Sequence, residues 1–283
     1  MIEPLLYESH CHTPLCKHAE GWPTEYAEVA EKVGLKGLIV TCHNPMPDGF
    51  SSRVRMREDE LDRYVDLVAE ATARWTGRVD VRLGLEADYF AGHEAYLEKQ
   101  LAGNDFHFVL GSVHPQIPEF RDRYWQEDLR EVQRTYFRLL ADAAETRLFD
   151  SISHPDLVKN FTVKAWDRDD VLEDIRPQLD RIAATGVAME LNTSGANKTI
   201  PEMNPFPDML REIRHRDIPI TLGADAHTPL RVGDGFDEGL ALLKSCGFRN
   251  VSYFLERRRL EVDIDDALQS LADNRVESFF GAQ

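Results

Sequence analysis

Seven short apolar runs in the chain each end at or just before a metal-ligating or polar side chain, and this pattern constrains the fold more than any other feature. The runs lie at residues 5–8, 37–41, 81–85, 108–113, 149–153, 187–191 and 218–223. They are rich in Val, Ile, Leu and Phe and lack regular polar alternation, which is typical of parallel strands covered on both faces. We therefore predict seven central parallel strands.

Amphipathic segments with helical spacing separate these runs. They lie at residues 25–33, 57–75, 94–101, 129–145, 169–185, 206–216, 237–245 and 264–274. The alternation of strand and helix predicts an α/β fold built from repeated βα units. In a βα barrel the carboxyl ends of all strands face one mouth, so the polar strand ends would converge there. We therefore favour a closed barrel over an open sheet, with residues 44–56 and 115–126 as the longest irregular segments.

Composition and length limit the class of protein. A chain of 283 residues with 42% hydrophobic and 29% charged residues fits one globular barrel domain over residues 1–283, and no linker or repeat marks a second domain. The 33 basic and 50 acidic residues give a formal charge of −17, which argues against nucleic-acid binding.

Two further sequence features bear on where the protein works. No apolar run approaches the roughly 20 residues that a membrane helix needs, and the first residues do not resemble a secretory leader. The four cysteines form no CxxC pair, which is typical of reduced thiols. We expect a cytoplasmic protein with no membrane partner.

The histidines concentrate at the strand ends. Of ten histidines, six stand at or just beyond a predicted strand end, and a seventh lies in the loop after the first strand. The six are His10, His12, His43, His114, His154 and His227, and the seventh is His18. His93, His107 and His215 fit surface helices or a strand start, and we interpret them as structural.

Two acidic residues, Glu86 and Asp225, share these positions and bring the candidate metal ligands to nine. Imidazole with carboxylate is the ligand set of zinc, iron and manganese. Nine ligands exceed what one ion can use, so we predict two or three divalent transition-metal ions. His10 and His12 are two residues apart on an extended strand and therefore face the same side. By the same alternation Cys11 and Cys42 should be packed thiols.

The strand-end motifs resemble the PHP (polymerase and histidinol phosphatase) superfamily, in its histidinol-phosphate phosphatase branch. The motifs are SHCHT at 9–13, TCHNP at 41–45, GLEADY at 84–89, GSVHP at 111–115, SHPDL at 153–157, ELNTSG at 190–195 and GADAHTP at 223–229. The resemblance implies a distorted (β/α)7 TIM-like barrel with a trinuclear site. It suggests one ion on His10, His12, Glu86 and Asp225, a second on Glu86, His114 and His154, and a third on His18, His43 and His227.

The resemblance also implies the reaction. It suggests a metal-dependent phosphomonoesterase of histidine biosynthesis that acts on a small phosphorylated substrate, L-histidinol phosphate, by attack of a metal-activated hydroxide. Glu86, Asp225 and His227 are the candidate catalytic residues. For the positively charged leaving group, Asp88 or Glu190 could supply a carboxylate, although we favour a structural salt bridge as the role of either.

The candidate substrate-binding residues are Lys198, Lys159, Asn192 and Arg55. The chain departs from the branch at two of these places. It reads Ala196-Asn197-Lys198 where the branch usually has an arginine before a lysine, and Val158-Lys159-Asn160 where a basic residue commonly follows the HPDL motif. These departures bear on the identity of the substrate more than on the reaction.

Two other functions remain open from the sequence. One is a different PHP phosphoesterase, acting on another small phosphomonoester or trimming DNA ends, although the acidity of the chain disfavours strand binding. The other is a barrel that binds metal without catalysis. The identity of the metals and the oligomeric state also stay open.

Overall fold

The computed structural model describes residues 2–276, and the strands of this part form a single sheet. The strands are β1 (Tyr7–Glu8), β2 (Gly37–Val40), β3 (Asp80–Asp88), β4 (Phe108–Ser112), β5 (Ser151–Ile152), β6 (Ala188–Asn192), β7 (Ile220–Gly223), β8 (Asn250–Leu255) and β9 (Arg258–Asp263). Neighbours in sequence are neighbours in the sheet. β1 to β8 pair in parallel, and β9 pairs with β8 in the antiparallel sense.

The sheet closes on itself between its first and seventh strands. Three residues beyond the ends of β1 and β7, Cys11 and Ala226 form a parallel bridge. The bridge consists of hydrogen bonds from His12 N to Ala226 O (2.9 Å) and from Ala226 N to His10 O (2.9 Å). This closure makes the predicted distorted barrel, and it places the residues that follow β1 and β7 side by side at one mouth.

Nine α-helices of the described residues lie between the strands or, in the case of the last helix, after them. They are α1 (Pro23–Lys32), α2 (Leu61–Trp75), α3 (Glu94–Leu101), α4 (Pro118–Tyr124), α5 (Leu129–Thr146), α6 (Arg168–Thr185), α7 (Pro207–His215), α8 (Phe236–Ser245) and α9 (Ile264–Asn274). The sequence fixes both ends of α6: Asp167 caps its N-terminus by accepting hydrogen bonds from Asp169 N and Asp170 N, and Gly186 ends it with φ +78°. Eight of the nine helices lie where helical spacing predicts them.

Three elements differ from the sequence prediction. α4 lies in the segment predicted to be irregular, and β8 and β9 add two strands to the predicted seven. The hairpin between β8 and β9 turns at Glu256 and Arg257, with φ of +53° and +59°. Such turns usually carry Asn-Gly or Asp-Gly, so the sequence lacks the common hairpin signal. Here the conformation is supported by tertiary contacts, since Arg257 Nε lies 2.5 Å from Asp150 Oδ2 and Arg257 Nη2 donates to Leu148 O.

The hairpin also helps to fill the barrel at the end opposite the polar strand ends. A separate apolar cluster there consists of Tyr7, Ile39, Phe108, Leu110, Ala188 and Phe254. Three of its members are the first residues of their strands, and the Phe108 and Phe254 rings stack at 5.3 Å between centroids. With one end of the barrel packed by apolar side chains, the other end is left to polar ones.

We expect Phe254→Ala to destabilise the fold, because it leaves a cavity where the Phe108 ring now has a stacking partner. The free energy of unfolding should fall by about 3–5 kcal/mol, measured by urea denaturation. Leu260→Ala in the neighbouring strand removes a side chain that is 40% exposed and should change it by about 0.5 kcal/mol. Equal effects of the two variants would contradict the assignment of Phe254 to the barrel core.

Candidate metal centre

Glu86 of β3 lies at the centre of the polar mouth, with its carboxylate among five imidazoles. The distances from Glu86 Oε1 are 3.5 Å to His10 Nε2, 3.5 Å to His114 Nε2 and 3.2 Å to His154 Nε2, and those from Oε2 are 3.6 Å to His12 Nε2 and 2.7 Å to His43 Nδ1. Ser112 Oγ donates a hydrogen bond to Oε1. The five imidazoles follow four different strands, and the barrel brings them to one carboxylate.

Asp225, directly after β7, joins the same group from the opposite side. Its Oδ1 lies 3.1 Å from His12 Nε2 and 3.6 Å from His10 Nε2. Its Oδ2 accepts a bond from Ser194 Oγ at 3.2 Å and lies 3.5 Å from Lys198 Nζ. The backbone of Asp225 has φ +50°, an uncommon conformation for a residue other than glycine, which the neighbouring closure of the barrel supports.

His18 and His227 form the outer edge of the cluster. Their Nε2 atoms face each other at 2.9 Å. The other ring nitrogen of each is already bound to a backbone carbonyl, His18 Nδ1 to Cys16 O and His227 Nδ1 to Asp225 O. The His227 ring also stacks on that of His12, with 4.0 Å between centroids. The nine predicted ligands thus lie in one connected group.

The unpaired atoms of this group fit a bound cation. Four buried ring or carboxylate atoms lack a hydrogen bond of suitable geometry to any described residue: His10 Nε2, His12 Nδ1, His43 Nδ1 and Glu86 Oε2, of which the last two lie 2.7 Å apart. Three of the ligand triads have all their ligand atoms within 4.8 Å of one another. They are His10, His12 and Glu86; His43, Glu86 and His114; and His12, His43 and His227. Nitrogen and carboxylate donors at this spacing suit divalent transition metals.

The charge states of the two central carboxylates suit the same role. Burial raises the pKa of Glu86, but the imidazoles of His43 and His10 offset burial and hold it well below its usual range. Burial likewise raises the pKa of Asp225, while His10 and Lys198 hold it well below its usual range. Both groups are therefore ionised at neutral pH. Burial lowers the pKa of His43 to about 4, so its imidazole is neutral and able to bind a metal.

A second group of carboxylates orients the imidazoles. Glu190 Oε1 lies 2.6 Å from His10 Nδ1, and its Oε2 accepts the backbone N–H of His154 at 2.8 Å. Asp88 Oδ1 lies 3.0 Å from His114 Nδ1, and Arg55 Nη2 donates to Asp88 Oδ2 at 2.6 Å. A carboxylate behind a ring nitrogen fixes the ring so that its other nitrogen points into the centre.

Glu8 is a buried acid that the sequence interpretation missed. Its Oε1 accepts the backbone N–H groups of His10 and Ala224 at 3.0 Å each, and its Oε2 accepts that of Gly233 at 2.9 Å. Burial raises its pKa to about 7 against these three bonds. The carboxylate joins β1, β7 and the loop that follows β7. The sequence signal that could have identified Glu8 is an acidic residue at the end of an otherwise apolar strand.

The four predicted substrate-binding residues have different surroundings. Lys198 is 29% exposed and lines a cavity of about 430 Å³ above the cluster. Lys159 is fully buried and donates to Asp156 Oδ2 and Met203 O. Asn192 is also fully buried, where its amide donates to Glu190 and accepts from Ser194. Arg55 lines an adjacent cavity of about 680 Å³, although its side chain is only 2% exposed.

Three of the four cysteines, Cys11, Cys16 and Cys42, lie close to the cluster but outside its mouth, whereas Cys246 Sγ contacts Pro207 O. All four are buried and unpaired. Thr13 Oγ1 donates to Cys42 Sγ, and Cys11 Sγ contacts Ile39 O. Cys16 Sγ and Cys42 Sγ lie within 4.8 Å of each other and of a ring nitrogen of His12.

A parallel β/α barrel with an imidazole–carboxylate cluster at its carboxyl mouth defines a class, the metal-binding barrels. The comparisons with known proteins identify the family within that class. Residues 8–194 match the PHP domain. The chain belongs to the PHP domain family.

Named relatives cover most of the chain. It is 41% identical over 254 residues to the "Probable histidinol-phosphatase" of Deinococcus radiodurans, covering 88% of this chain and 96% of that protein. It is 26% identical to the "Histidinol-phosphatase" of Bacillus subtilis, covering 84% of this chain and 98% of the relative. The fold matches the crystal structure of the Lactococcus lactis histidinol phosphate phosphatase in complex with zinc, L-histidinol and phosphate. That match has a TM-score of 0.77 and 22% identity, and covers 90% of this chain and 98% of the other.

We expect Glu86→Gln to abolish stoichiometric metal binding, because the amide removes the negative charge that all five imidazoles surround. Elemental analysis of the purified variant measures this directly. Glu190→Gln is the matched control, since it alters a carboxylate that touches His10 and not the centre itself. It should weaken metal affinity about 10–100-fold without abolishing it. Full metal content in Glu86→Gln would contradict the central position of Glu86.

Proposed function

We propose that the protein is a metal-dependent phosphomonoesterase, a histidinol-phosphatase that converts L-histidinol phosphate and water to L-histidinol and phosphate. The observation that carries the proposal is the carboxylate of Glu86 surrounded by five imidazoles at the barrel mouth. Its support from the comparisons is the 41% identity to a relative of that name over 88% of this chain. The proposal includes one barrel domain over residues 1–283 and a cytoplasmic location, in keeping with four unpaired cysteines.

Two or three divalent ions, zinc, iron or manganese, complete the site in this proposal. One set of ligands is His10, His12, Glu86 and Asp225; a second is Glu86, His114 and His154; a third is His18, His43 and His227. When bound, such ions lower the pKa of water toward neutrality and neutralise phosphoryl oxygens. This explains how a chain with a formal charge of −17 can attract a phosphate dianion.

The protein's own groups have separate roles in the reaction. The ionised Asp225, whose carboxylate Ser194 and Lys198 hold in place, accepts a hydrogen bond from the water that attacks phosphorus and orients it. His227 borders the cavity, where its ring stacks on that of His12 and its Nε2 faces that of His18. Lys198 binds the phosphoryl group, because its ammonium lines the cavity, whereas the ammonium of Lys159 is taken up by Asp156.

The leaving alcohol of L-histidinol phosphate carries an amine and an imidazole. In our proposal it extends into the adjacent cavity of about 680 Å³, which shares His18, His43 and His114 with the mouth. Glu119 lines this cavity, and the backbone N–H and hydroxyl of Ser51 both donate to its carboxylate. Asp88 and Glu190 are less suited to the leaving group, because His114 with Arg55 and His10 already engage them.

Initial rates on a panel of phosphomonoesters test this function. With zinc, manganese or iron added, we expect kcat/KM for L-histidinol phosphate to exceed that for p-nitrophenyl phosphate at least about 100-fold, the equivalent of about 2.7 kcal/mol of differential binding. If another phosphomonoester has the highest kcat/KM, the protein is still a phosphomonoesterase, but L-histidinol phosphate is not its substrate. No turnover of any ester by metal-loaded protein would contradict the proposal.

We expect Lys198→Ala to lower kcat/KM for phosphomonoesters by about 1.5–3 kcal/mol, the value of a hydrogen bond to a charged group. Metal content should stay unchanged. Lys164→Ala is the matched control, since Lys164 is exposed and lies outside the lining of the mouth cavity. Equal kcat/KM for wild type and Lys198→Ala would contradict a phosphate contact by Lys198.

A further inference from the structure

A second cation besides Lys198 lines the mouth cavity. Arg231 lies at the end of the short 3-10 helix Pro229–Arg231, which begins two residues after His227. It borders the same cavity of about 430 Å³ as His154, Asp225 and Lys198. Among the described residues that line this cavity, Lys198 and Arg231 are the two permanently charged cations. No sequence motif singled out Arg231.

The contacts of Arg231 orient its guanidinium without engaging all of its N–H groups. With the amide oxygen of Asn197 facing it, Asn197 accepts from Nη1 at 3.3 Å and from Nη2 at 3.0 Å. Asp234 Oδ2 lies 2.9 Å from Nη2. These partners engage three of the five N–H groups of an arginine and leave one on Nη1, while the buried Nε has no hydrogen-bond partner among the described residues. The side chain is 31% exposed, so it is open to the cavity and not enclosed like Lys159.

The backbone that carries Arg231 is fixed on several sides. Arg231 N donates to Thr228 O, and Asp234 N donates to Arg231 O. The buried Glu8 accepts Gly233 N at 2.9 Å, which ties this loop to β1. Gly21 packs so closely on Pro229 that an added Cβ would lie 2.4 Å from its ring. A guanidinium on such a rigid loop loses little conformational entropy when it binds an anion.

Charge balance favours an anion as the ligand. Asp225, 3.5 Å away, already offsets part of the charge of Lys198. The carboxylate partner of Arg231 is Asp234, which is 49% exposed and lies outside the cavity lining, so solvent screens much of that pair. A guanidinium also matches phosphate oxygens better than an ammonium, because its N–H groups lie in one plane.

We propose that Arg231 is a phosphate-binding residue, acting with Lys198 on the phosphoryl group of the substrate and on the phosphate product. This inference rests on the proposed phosphomonoesterase function. It assigns the guanidinium contact to the loop after β7, and it gives Asn197 a role as the side chain that holds Arg231 over the mouth.

The test compares inorganic phosphate binding to metal-loaded wild type and variants by isothermal titration calorimetry. We expect Arg231→Gln to weaken phosphate binding at least about tenfold, and to raise KM for p-nitrophenyl phosphate to a similar extent, with unchanged metal content. Arg231→Lys should lose less, since it keeps the charge without the planar fork. Arg211→Gln is the matched control, because Arg211 forms the same i,i+3 pair, with Asp208, on α7 away from the mouth.

Asp234→Asn separates binding from a structural role. It removes the ion pair but keeps the guanidinium, so phosphate affinity should stay within about twofold of wild type. If Arg231→Gln and Asp234→Asn lower Tm equally and neither changes phosphate affinity, Arg231 is only a partner of Asp234 and the inference is wrong. Should Arg231→Gln fail to fold, Arg231→Met takes its place, and a phosphate affinity of Arg231→Met equal to that of wild type would also overturn the inference.

The two proposals fail in distinguishable ways. If wild type does not hydrolyse L-histidinol phosphate while Arg231→Gln still weakens phosphate binding, the substrate is wrong and the role of Arg231 stands. If wild type hydrolyses L-histidinol phosphate with the expected preference and Arg231→Gln binds phosphate as wild type does, the function stands and the role of Arg231 is overturned.

Discussion

The carboxylate of Glu86 is the group on which the rest of the site depends. A buried carboxylate without partners would cost several kcal/mol, and here five imidazoles and the Ser112 hydroxyl surround it. The five imidazoles follow β1, β2, β4 and β5, on both sides of β3, so they reach Glu86 only because the sheet curves around it. The polar centre and the curvature of the barrel therefore support each other.

Carboxylates behind the centre make this arrangement rigid. Glu190 holds the His10 ring and the backbone of His154, and Asp88 holds the His114 ring. Glu8 joins the ends of β1 and β7 to the loop that carries Arg231. A network of this kind replaces an apolar core at the mouth, while the cluster around Phe108 and Phe254 fills the opposite end. The apolar cluster at one end of the barrel thus stabilises the fold, and the imidazole–carboxylate cluster at the carboxyl end of the strands carries the function.

Much of the fold was predictable because it follows from local pattern. Continuous apolar runs and helical spacing located seven strands and eight helices, and the strand-end motifs indicated the PHP family, which the match over residues 8–194 confirms. β9 escaped prediction because most of its side chains are exposed and its turn uses Glu256 and Arg257 in place of glycine or asparagine. α4 escaped because it is only seven residues long, too short for helical spacing to show in the sequence.

The sequence by itself determined the donor set and its position: histidines and acids at the carboxyl ends of alternating strands, which any parallel barrel gathers at one mouth. Only the tertiary structure decided the surroundings of each lysine and arginine side chain near the mouth. Lys159 and Lys198 both follow strand ends, yet Asp156 and Met203 bury the first and the cavity receives the second. Arg231 lies at the same mouth with no motif to mark it. The physical reason is that strand period fixes the direction of a side chain within a strand, whereas in the loops beyond it the direction depends on neighbours that are distant in sequence.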